Sequence, residues 1–566
     1  MKANKLQGVL IAIAFLSTPA IYAKESGRRS PEAVLASNES TDPVAEGYAL
    51  LQQMQAAKAI HKLTSPFISA LRQQDHKRAA GILRLIAFAF RLDENDECAA
   101  QTALNAVALD PSSDAAKMDA ASYLYRCGEW QRARAISENL HKSKDAAIAT
   151  LAYAQDCLRK VEYSKGISAI TGAPEKVQSN LKVMKALALL YQMDEDLKSS
   201  SSVYEKLAGA CANDFMKEIY LGRSRTVVMD TDGARAHFKA AGRVEADDPL
   251  WMSELGILEM KKGNIKEARE HFRSAVGQER LSSQAHLNLA ILEAYFGSTQ
   301  DAQAALNRIS KLRPAGSDVA FAIGLVSEKL EDWQEARIAF TKVLTLHPFN
   351  SSAYQHLLSL ARQMKKPSDE LDIAARWLQA NPASFLAHVE AGKTYYLNGD
   401  KEKSLRCFDK AMQFASKRAL ATRSSSKGLF LTLLAFRSAA NHELGKSDKA
   451  FEDALLFNQQ KPEPAKAGGL YIRPNKIDVS KIPSGSKQLN AVKHALLGDV
   501  LYEAGNLLAA EREYKLATIE EPDNILWHSC RLKVLIDQKN FVEAAKEDLH
   551  VSQHVVTHFP DIFRRR

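Results

Sequence analysis

The hydrophobic and polar positions along this chain repeat every 34 residues. The stretch GILEMKKGNIKEAREHFRSAV, residues 256–276, holds a small residue, a Gly-Asn pair, two alanines and a phenylalanine at fixed places. The columns led by Gly256, Ala268, Phe272 and Ala275 return at the same step on both sides. A fixed period of this length indicates stacked supersecondary units rather than one globular core.

Within each unit the apolar residues fall at helical spacing in two runs. The runs are split by recurring pairs of turn-forming residues: Gly263-Asn264, Glu331-Asp332 and Gly399-Asp400. Three consecutive units close on a proline, which cannot continue a helix: Pro314, Pro348 and Pro382. Each unit is therefore predicted to be a helix hairpin. Small residues in the Gly256 and Ala268 columns let its two helices approach, and the Phe272 column fills the space between them.

These columns resemble the tetratricopeptide repeat family, most clearly over residues 181–418, which divide into seven units of equal length. The resemblance implies an all-α fold, a right-handed superhelical solenoid of about thirteen helix-turn-helix units. It also implies that the first helix of each hairpin lines an inner face that receives a peptide or a helix of a partner protein.

The pattern predicts a linear organisation. The N-terminal part is predicted to hold a signal peptide (1–23), a flexible leader (24–47), capping helices (48–79) and degenerate repeat units (80–180). The seven in-register units follow (181–418), and after them an insertion (419–430) and one further unit (431–464). The C-terminal part is predicted to hold a loop or hinge (465–490), two units (491–558) and a basic tail (559–566).

The N-terminus has the order of a secretory signal. The charged MKANK is followed by the apolar LQGVLIAIAFL and by the small-residue segment STPAIYA. Cleavage after Ala23 would yield an exported protein, periplasmic or secreted. The alternative is an uncleaved anchor in the inner membrane, but the apolar run from Leu6 to Leu16 is short against the roughly 20 residues of a comfortable span. No later segment is long and apolar enough to predict a membrane span.

Composition is that of a folded protein, with 46% hydrophobic and 25% charged residues, and it argues against global disorder. The net charge of +9 falls to about +7 without Lys2 and Lys5. That excess permits acidic partners, an envelope polymer among them, but it provides no nucleic-acid signature. The six cysteines form no C-x-x-C pair, so free buried thiols are favoured, and Cys98 with Cys127 is the pair to test for a disulfide.

Enzyme motifs are incomplete in this sequence. Gly445-Lys446-Ser447 lacks the upstream glycine of a phosphate-binding loop, which is replaced by Ala440, and no G-x-S-x-G occurs. We therefore expect no catalytic residues and no cofactor. His550, His554 and His558 follow one another at helical spacing and are a candidate metal site. The favoured interpretation of these histidines is ordinary electrostatics at the end of a helix.

The resemblance assigns the inner face residue by residue. The ligand-binding candidates are Arg223, Ile257, Lys261, Ile291, Tyr295, Leu325, Lys329, Arg362, Lys393 and Tyr396. Their mixture of cations, tyrosines and aliphatic residues would suit a partner with acidic groups and apolar anchors. The sequence thus predicts a non-enzymatic scaffold that binds protein or peptide partners in the cell envelope. The alternative is a periplasmic component of a polysaccharide export or assembly system.

Overall fold

The computed structural model describes residues 42–52, 55–92, 95–160, 162–194, 196–278, 283–309, 317–415, 425–461 and 477–558. Over these ranges the chain forms 29 α-helices, one short 3₁₀ turn at Val479–Lys481 and no β-strand. The all-α prediction is therefore confirmed. The chain divides into two compact units, one reaching Lys365 and the other beginning at Lys366.

The first compact unit is a succession of helix hairpins. Its helices are α1 (Pro43–Gln52), α2 (Ala56–Arg72), α3 (His76–Leu92), α4 (Asp96–Leu109), α5 (Asp114–Cys127), α6 (Trp130–Leu140), α7 (Ala146–Lys160), α8 (Tyr163–Thr171), α9 (Glu175–Gln178), α10 (Leu181–Met193), α11 (Leu197–Ala210), α12 (Asp214–Val227), α13 (Thr231–Val244), α14 (Pro249–Lys262), α15 (Ile265–Val276), α16 (Ser283–Phe296), α17 (Thr299–Ile309), α18 (Ser317–Lys329), α19 (Trp333–Leu346) and α20 (Ser351–Gln363).

The second compact unit continues the same alternation of first and second helices. Its helices are α21 (Pro367–Ala380), α22 (Phe385–Leu397), α23 (Lys401–Phe414), α24 (Ser425–Glu443), α25 (Ser447–Gln460), α26 (Lys487–Glu503), α27 (Leu507–Glu520), α28 (Ile525–Asp537) and α29 (Phe541–His558).

Two helices begin earlier than the sequence pattern predicts. Helix α24 starts at Ser425, inside the segment predicted as an insertion, because Phe430 is buried in the core of the second unit and belongs to the helix. Helix α26 starts at Lys487, where the hydroxyl of Ser486 accepts a hydrogen bond from the backbone N–H of Leu489 and caps the helix. Loops predicted from polar composition therefore contain helical turns.

The loop or hinge predicted at residues 465–490 stays a prediction, and both of its flanks belong to one compact unit. Residues on both sides of that segment, including Phe457 and Leu496, share one hydrophobic core within the second unit. The unit boundary instead follows Lys365, between the two helices of one repeat. The helices before and after residues 465–490 therefore share one hydrophobic core.

Glycine and an aromatic ring meet at the centre of several hairpins. A Cβ added at Gly256 would lie 2.5 Å from Cε1 of Phe272, and one at Gly222 would lie 2.3 Å from Cε1 of Phe238. The same pairing recurs at Gly324 with Phe340, Gly392 with Phe408 and Gly498 with Tyr514. All five rings are almost completely buried. The predicted roles of the Gly256 and Phe272 columns are therefore confirmed, because only a residue without Cβ leaves room for the ring.

The predicted turn pairs have a consistent backbone geometry. Gly263 and Gly399 adopt left-handed φ values of +85° and +88°, which glycine tolerates at the end of a helix. Glu331 takes the same place with φ 61°, although a side chain there is strained. The next residue often begins the second helix, as the carboxylates of Asp332 and Asp400 accept hydrogen bonds from backbone N–H groups of α19 and α23.

An ion pair between consecutive repeats recurs with the 34-residue period. The Nε of Arg235 on α13 donates to Glu259 on α14 at 3.1 Å, and the Nε of Arg269 on α15 donates to Glu293 on α16 at 3.0 Å. Both carboxylates are buried. Burial alone would raise the pKa of Glu259, but the hydrogen bonds from Arg235 and Asn264 outweigh it and lower the pKa below its ordinary value. These pairs join the second helix of one repeat to the first helix of the next.

Several predicted segments lie outside the described residues. They are the signal peptide, most of the leader up to residue 41, and the basic tail, 559–566. Among the helices that the structure does describe, none has the combination of length and apolar composition that crossing a bilayer requires.

Candidate functional site

The ten inner-face candidates lie on the first helices of six consecutive repeats, α12, α14, α16, α18, α20 and α22. Eight of them belong to the first compact unit, and Lys393 and Tyr396 belong to the second. The structure therefore places these residues in two separate groups, each of which is considered by itself.

Three candidates have almost no accessible surface. Ile291, Leu325 and Tyr396 are at most 4% exposed. Each lies on a first helix that packs against a neighbouring first helix, α16 against α18 and α22 against α24. The hydroxyl of Tyr396 donates a hydrogen bond to the carboxylate of Glu443. The ammonium group of Lys401 lies 3.6 Å from the ring centroid of Tyr396. These three side chains support the packing of repeats and do not face an open groove.

The guanidinium of Arg223 is already paired. Its Nε donates to the carboxylate of Glu254 on the next first helix at 2.9 Å, and Glu254 is buried. Because Glu254 neutralises the guanidinium, Arg223 attracts an acidic ligand less strongly than an unpaired cation would. The sequence contains a signal for this pair. Glu254 follows Arg223 by slightly less than one repeat, so the two side chains lie on successive first helices and can meet.

Lys261, Tyr295 and Lys329 occupy the same repeat position on α14, α16 and α18, and they are called the middle ladder. Lys261 is partly buried and forms no hydrogen bond or ion pair with a described residue. Burial lowers its pKa below the ordinary lysine value, although the nearby carboxylate of Glu254 acts in the opposite direction. Arg223 already binds that carboxylate, so Lys261 has no counter-ion of its own in the part of the chain that the structure describes.

The other two members of the middle ladder differ in accessibility. Burial raises the pKa of Tyr295 far above its ordinary value, and the charge of Glu328 adds to this effect. Tyr295 therefore stays neutral and can donate a hydrogen bond at any physiological pH. Lys329 is exposed. Ile257, on the same first helix as Lys261, is partly exposed and adds apolar surface.

The remaining two candidates are engaged within the protein. Arg362 on α20 is partly buried and has partners in the chain. In the second unit, the ammonium group of Lys393 lies 5.7 Å from the ring centroid of Phe436, a distance typical of a cation–π contact. The middle ladder is therefore the part of the predicted inner face that keeps polar groups available.

Sequence reasoning missed a histidine and carboxylate cluster in the second unit. His442 on α24 and His494 on α26 both bond Glu513 on α27, at 3.0 and 2.7 Å. The bond to Glu513 raises the pKa of His442. Burial alone would raise the pKa of Glu513, but the bonds from both histidines lower it to about 2. Because the three residues come from three helices, their meeting depends on how the repeats stack.

Metal and thiol chemistry find little support in the described residues. Across those ranges no cluster of three His, Cys, Asp or Glu side chains is arranged to hold a metal ion. Helix α29 carries His550, His554 and His558, but their side chains lie outside the described part. None of the six cysteines, Cys98 and Cys127 included, forms a disulfide, and three of them are buried.

Stacked hairpins with a fixed 34-residue period define this chain as a helical repeat protein. A family model described as "Tetratricopeptide repeat" matches residues 229–286 and 287–351. These matches cover the middle ladder and two of the Gly-Phe pairs, Gly256 with Phe272 and Gly324 with Phe340. The chain therefore contains tetratricopeptide repeats. Proteins of this family are generally non-catalytic scaffolds that bind protein partners.

Characterised relatives match a limited part of the chain. It is 31% identical over 129 residues to tetratricopeptide repeat protein 8 of Homo sapiens, a match that spans 23% of this chain and 23% of the relative. The same protein of Mus musculus is also 31% identical over 129 residues, with 24% of its length covered. The chain thus matches about a quarter of the length of these relatives.

Solved structures with similarity to this chain have low identity. A tetratricopeptide repeat protein from Parabacteroides merdae is 18% identical, with 44% of this chain and 94% of that one covered and a TM-score of 0.32. PilF of Pseudomonas aeruginosa is 20% identical, with 39% and 95% covered and a TM-score of 0.31. The Cut9-Hcn1 hetero-tetramer of the APC/C contains a chain that is 11% identical, with 86% and 96% covered and a TM-score of 0.30. These TM-scores are too low to support conclusions about shape or function.

Proposed function

We propose that this protein is a non-enzymatic scaffold of the cell envelope, and that the middle ladder binds an acidic segment of a protein partner. The observation that carries the proposal is Lys261, a partly buried cation that has no counter-ion among the described residues. A desolvated ammonium group without a partner is costly. A carboxylate supplied by a ligand would remove that cost, and it would form a charge-assisted hydrogen bond.

The neighbours of Lys261 define the rest of the partner. Tyr295 presents a neutral hydroxyl and a rigid ring, which suits a polar backbone group beside an apolar side chain. Lys329 adds an exposed cation one repeat further on. A segment with two acidic residues and an apolar residue between them would match these three positions.

Export is the second part of the proposal. It is supported by the N-terminal sequence, in which a basic start, an apolar run and small residues precede Lys24. Fractionation of cells and N-terminal sequencing of the recovered protein test it. A mature N-terminus at Lys24 in the periplasm or medium is expected. A protein that keeps Met1 and stays in the cytosol would refute export, while Met1 retained in the membrane fraction would establish the anchored alternative.

Photo-crosslinking in intact cells tests the binding site. A photoreactive amino acid in place of exposed Lys329 should form an adduct with a protein partner. The same group in place of Lys342, an exposed lysine on the second helix of that repeat, is the matched control and should form none. An adduct with a polysaccharide instead of a protein would favour the export or assembly system of the envelope, which the basic excess also permits.

A second experiment isolates the role of Lys261. The substitution Lys261→Met keeps the apolar stem of the side chain but removes its charge. With a synthetic peptide copied from the cross-linked segment, we expect affinity to fall about 10- to 100-fold, since a hydrogen bond to a charged group contributes about 1.5–3 kcal/mol. Equal affinity of the wild type and the Lys261→Met variant would refute the assignment.

A further inference from the structure

The first compact unit contains a contact between two parts of the chain that lie more than six repeat periods apart. Trp130 is the first residue of α6, and Phe349 lies in the turn between α19 and α20. Their rings meet edge to face, with the centroids 5.3 Å apart. Beside them, a Cβ added at Gly128 would lie 2.0 Å from Cδ2 of Leu346. These four residues are called the joint.

Two residues of the joint are suited to this contact. The prolines that close three consecutive units are followed by Ala315, Phe349 and Ala383, so an aromatic residue stands at this place only where Trp130 is available to pack against it. Gly128 ends α5 with a left-handed φ of +80°, which glycine tolerates. The absence of a side chain at Gly128 also leaves room for Leu346.

Polar groups line a small cavity beside the two rings. His347 lies in it together with Tyr125, Arg134 and Arg159. The guanidinium of Arg159 lies 3.6 Å from the ring centroid of Tyr125 and donates to the carboxylate of Asp156 at 3.3 Å. Burial lowers the pKa of His347 to about 4, and the charge of Arg159 acts in the same direction. His347 is therefore uncharged at neutral pH, so the joint brings no further cation next to Arg159.

Asp318, near the start of α18, is independent evidence that the same two regions lie together. Burial raises the pKa of Asp318 above its ordinary value, whereas the charge of Arg126 on α5 lowers it and the charge of Asp96 on α4 raises it. An effect of these charges on Asp318 requires that α18 lie near α4 and α5. The contact thus joins the region of α4 to α7 with α18, α19 and the turn that follows.

The joint completes a closed loop of contacts within the first unit. Each helix from α6 to α19 packs against the next one along the chain, without a break. Each repeat of such an array is slightly rotated relative to the one before it, and the joint brings the two ends of this stretch together. The middle ladder lies on α14, α16 and α18, which all belong to the loop.

The joint is narrow in comparison with the contacts between successive helices. Helix α19 packs extensively against α18 and α20, whereas the joint depends on a few side chains from the end of α19 and the turn after it. Regions held by few buried contacts open with a lower free energy than the core of a protein does. The loop can therefore open here while its repeats stay folded.

We propose that the joint is a latch, which closes the first unit into a loop around the middle ladder and opens while the repeats remain folded. An open latch admits a segment from the middle of a partner chain, and a closed latch retains it. This role in binding rests on the proposed function. The existence of the latch does not, because it follows from contacts within the first unit.

An engineered disulfide tests the closed form. The Cβ position at Gly128 lies 3.3 Å from Cβ of Leu346, close to the roughly 3.5–4.5 Å that a disulfide requires. Gly128→Cys with Leu346→Cys, in a Cys127→Ser background, should therefore cross-link on mild oxidation. Gly128→Cys with Val244→Cys, at the exposed last residue of α13, is the matched control and should not. Failure of the first pair to cross-link, in a protein whose circular dichroism is unchanged, would overturn closure.

Single-molecule energy transfer tests the opening. Ketone-bearing amino acids in place of exposed Arg132 on α6 and Lys342 on α19 carry the donor and acceptor dyes, so the native cysteines need not be removed. Most molecules should show high transfer efficiency and a minority low efficiency. Trp130→Ala with Phe349→Ala should increase the ratio of open to closed molecules about 3- to 10-fold, because the contact of two aromatic rings is lost.

Trp333→Ala is the matched control for these substitutions. Trp333 is also the first residue of a second helix, but it lies at the opposite end of α19 from the joint. The variant should have the same efficiency distribution as the wild type. Low efficiency in nearly all wild-type molecules would refute closure. High efficiency in all molecules of the Trp130→Ala, Phe349→Ala variant would show a permanently closed loop and would refute the latch.

The role in binding is tested with the disulfide variant. The peptide copied from the cross-linked segment is placed between two folded fluorescent proteins, so that neither end of it can thread through the loop. The oxidised variant should bind this fusion at least tenfold more slowly than the reduced variant. Equal association rates would refute the role in binding. Absence of binding of the free peptide to the wild type would refute the proposed function, whereas the energy-transfer result would still decide the latch.

Discussion

Gly256 provides the most direct test of how the hairpins are built. In the substitution Gly256→Ala, the new methyl group would lie 2.5 Å from Cε1 of Phe272, whose ring is completely buried. Overpacking of this kind costs about 1–3 kcal/mol. Replacing a helical glycine by alanine gains about 1 kcal/mol. We expect net destabilisation of about 1 kcal/mol.

Gly209 supplies a matched control for this substitution. It lies in helix α11, and no atom is found within 4 Å of the position where its Cβ would be. Gly209→Ala should therefore stabilise its helix by about 0.5 kcal/mol, because it reduces the entropy of the unfolded chain without a clash. The same chemical change then has opposite signs at two sites of one chain.

The measurement should be local because a repeat array need not unfold in one step. Hydrogen exchange followed by mass spectrometry reports the opening free energy of peptides from α14 and α15. These peptides should exchange faster in Gly256→Ala, and Phe272→Leu should restore part of the lost protection in the double variant. Slower exchange in Gly256→Ala than in the wild type would refute the packing argument.

Three further predictions concern the second unit and the thiols. Asp499→Ala should destabilise the second unit by about 3–5 kcal/mol, measured by hydrogen exchange in α26 and α27, because Lys461 would lose the partner at 2.8 Å that neutralises it in the core. Because Glu513 raises the pKa of His442, the contribution of this histidine is complete below pH 6.5 and is lost as pH rises through the raised value. The melting temperature of the second unit should therefore fall above pH 6.5, and His442→Gln should flatten that dependence. Alkylation in denaturant, followed by mass spectrometry without prior reduction, should modify six cysteines; fewer modified thiols would indicate a disulfide.

The hairpins could be predicted from sequence because their determinants lie close together in the chain. Gly256 and Phe272 are 16 residues apart and pack within one hairpin. Gly263, between them, adopts the left-handed turn that its position predicts. Such contacts and turns recur in several units, so the 34-residue period of the sequence indicates where they lie.

The candidate site could be predicted only in part. The repeat register correctly aligned Lys261, Tyr295 and Lys329 on successive first helices. It gave no information about which neighbouring side chains occupy the same surface. Arg223 illustrates the difference, since its position resembles that of a ligand-binding cation while its charge is taken by Glu254.

By itself, the sequence determined the helical content, the hairpin as the unit of structure and the contacts between the glycine and aromatic columns, because each of these depends on residues within one period. Only the tertiary structure decided which polar groups are paired, which inner-face side chains are buried and where the chain divides into compact units. Those features arise where different repeats meet, and a helix can place the same residue against a buried carboxylate in one repeat and against an open surface in the next.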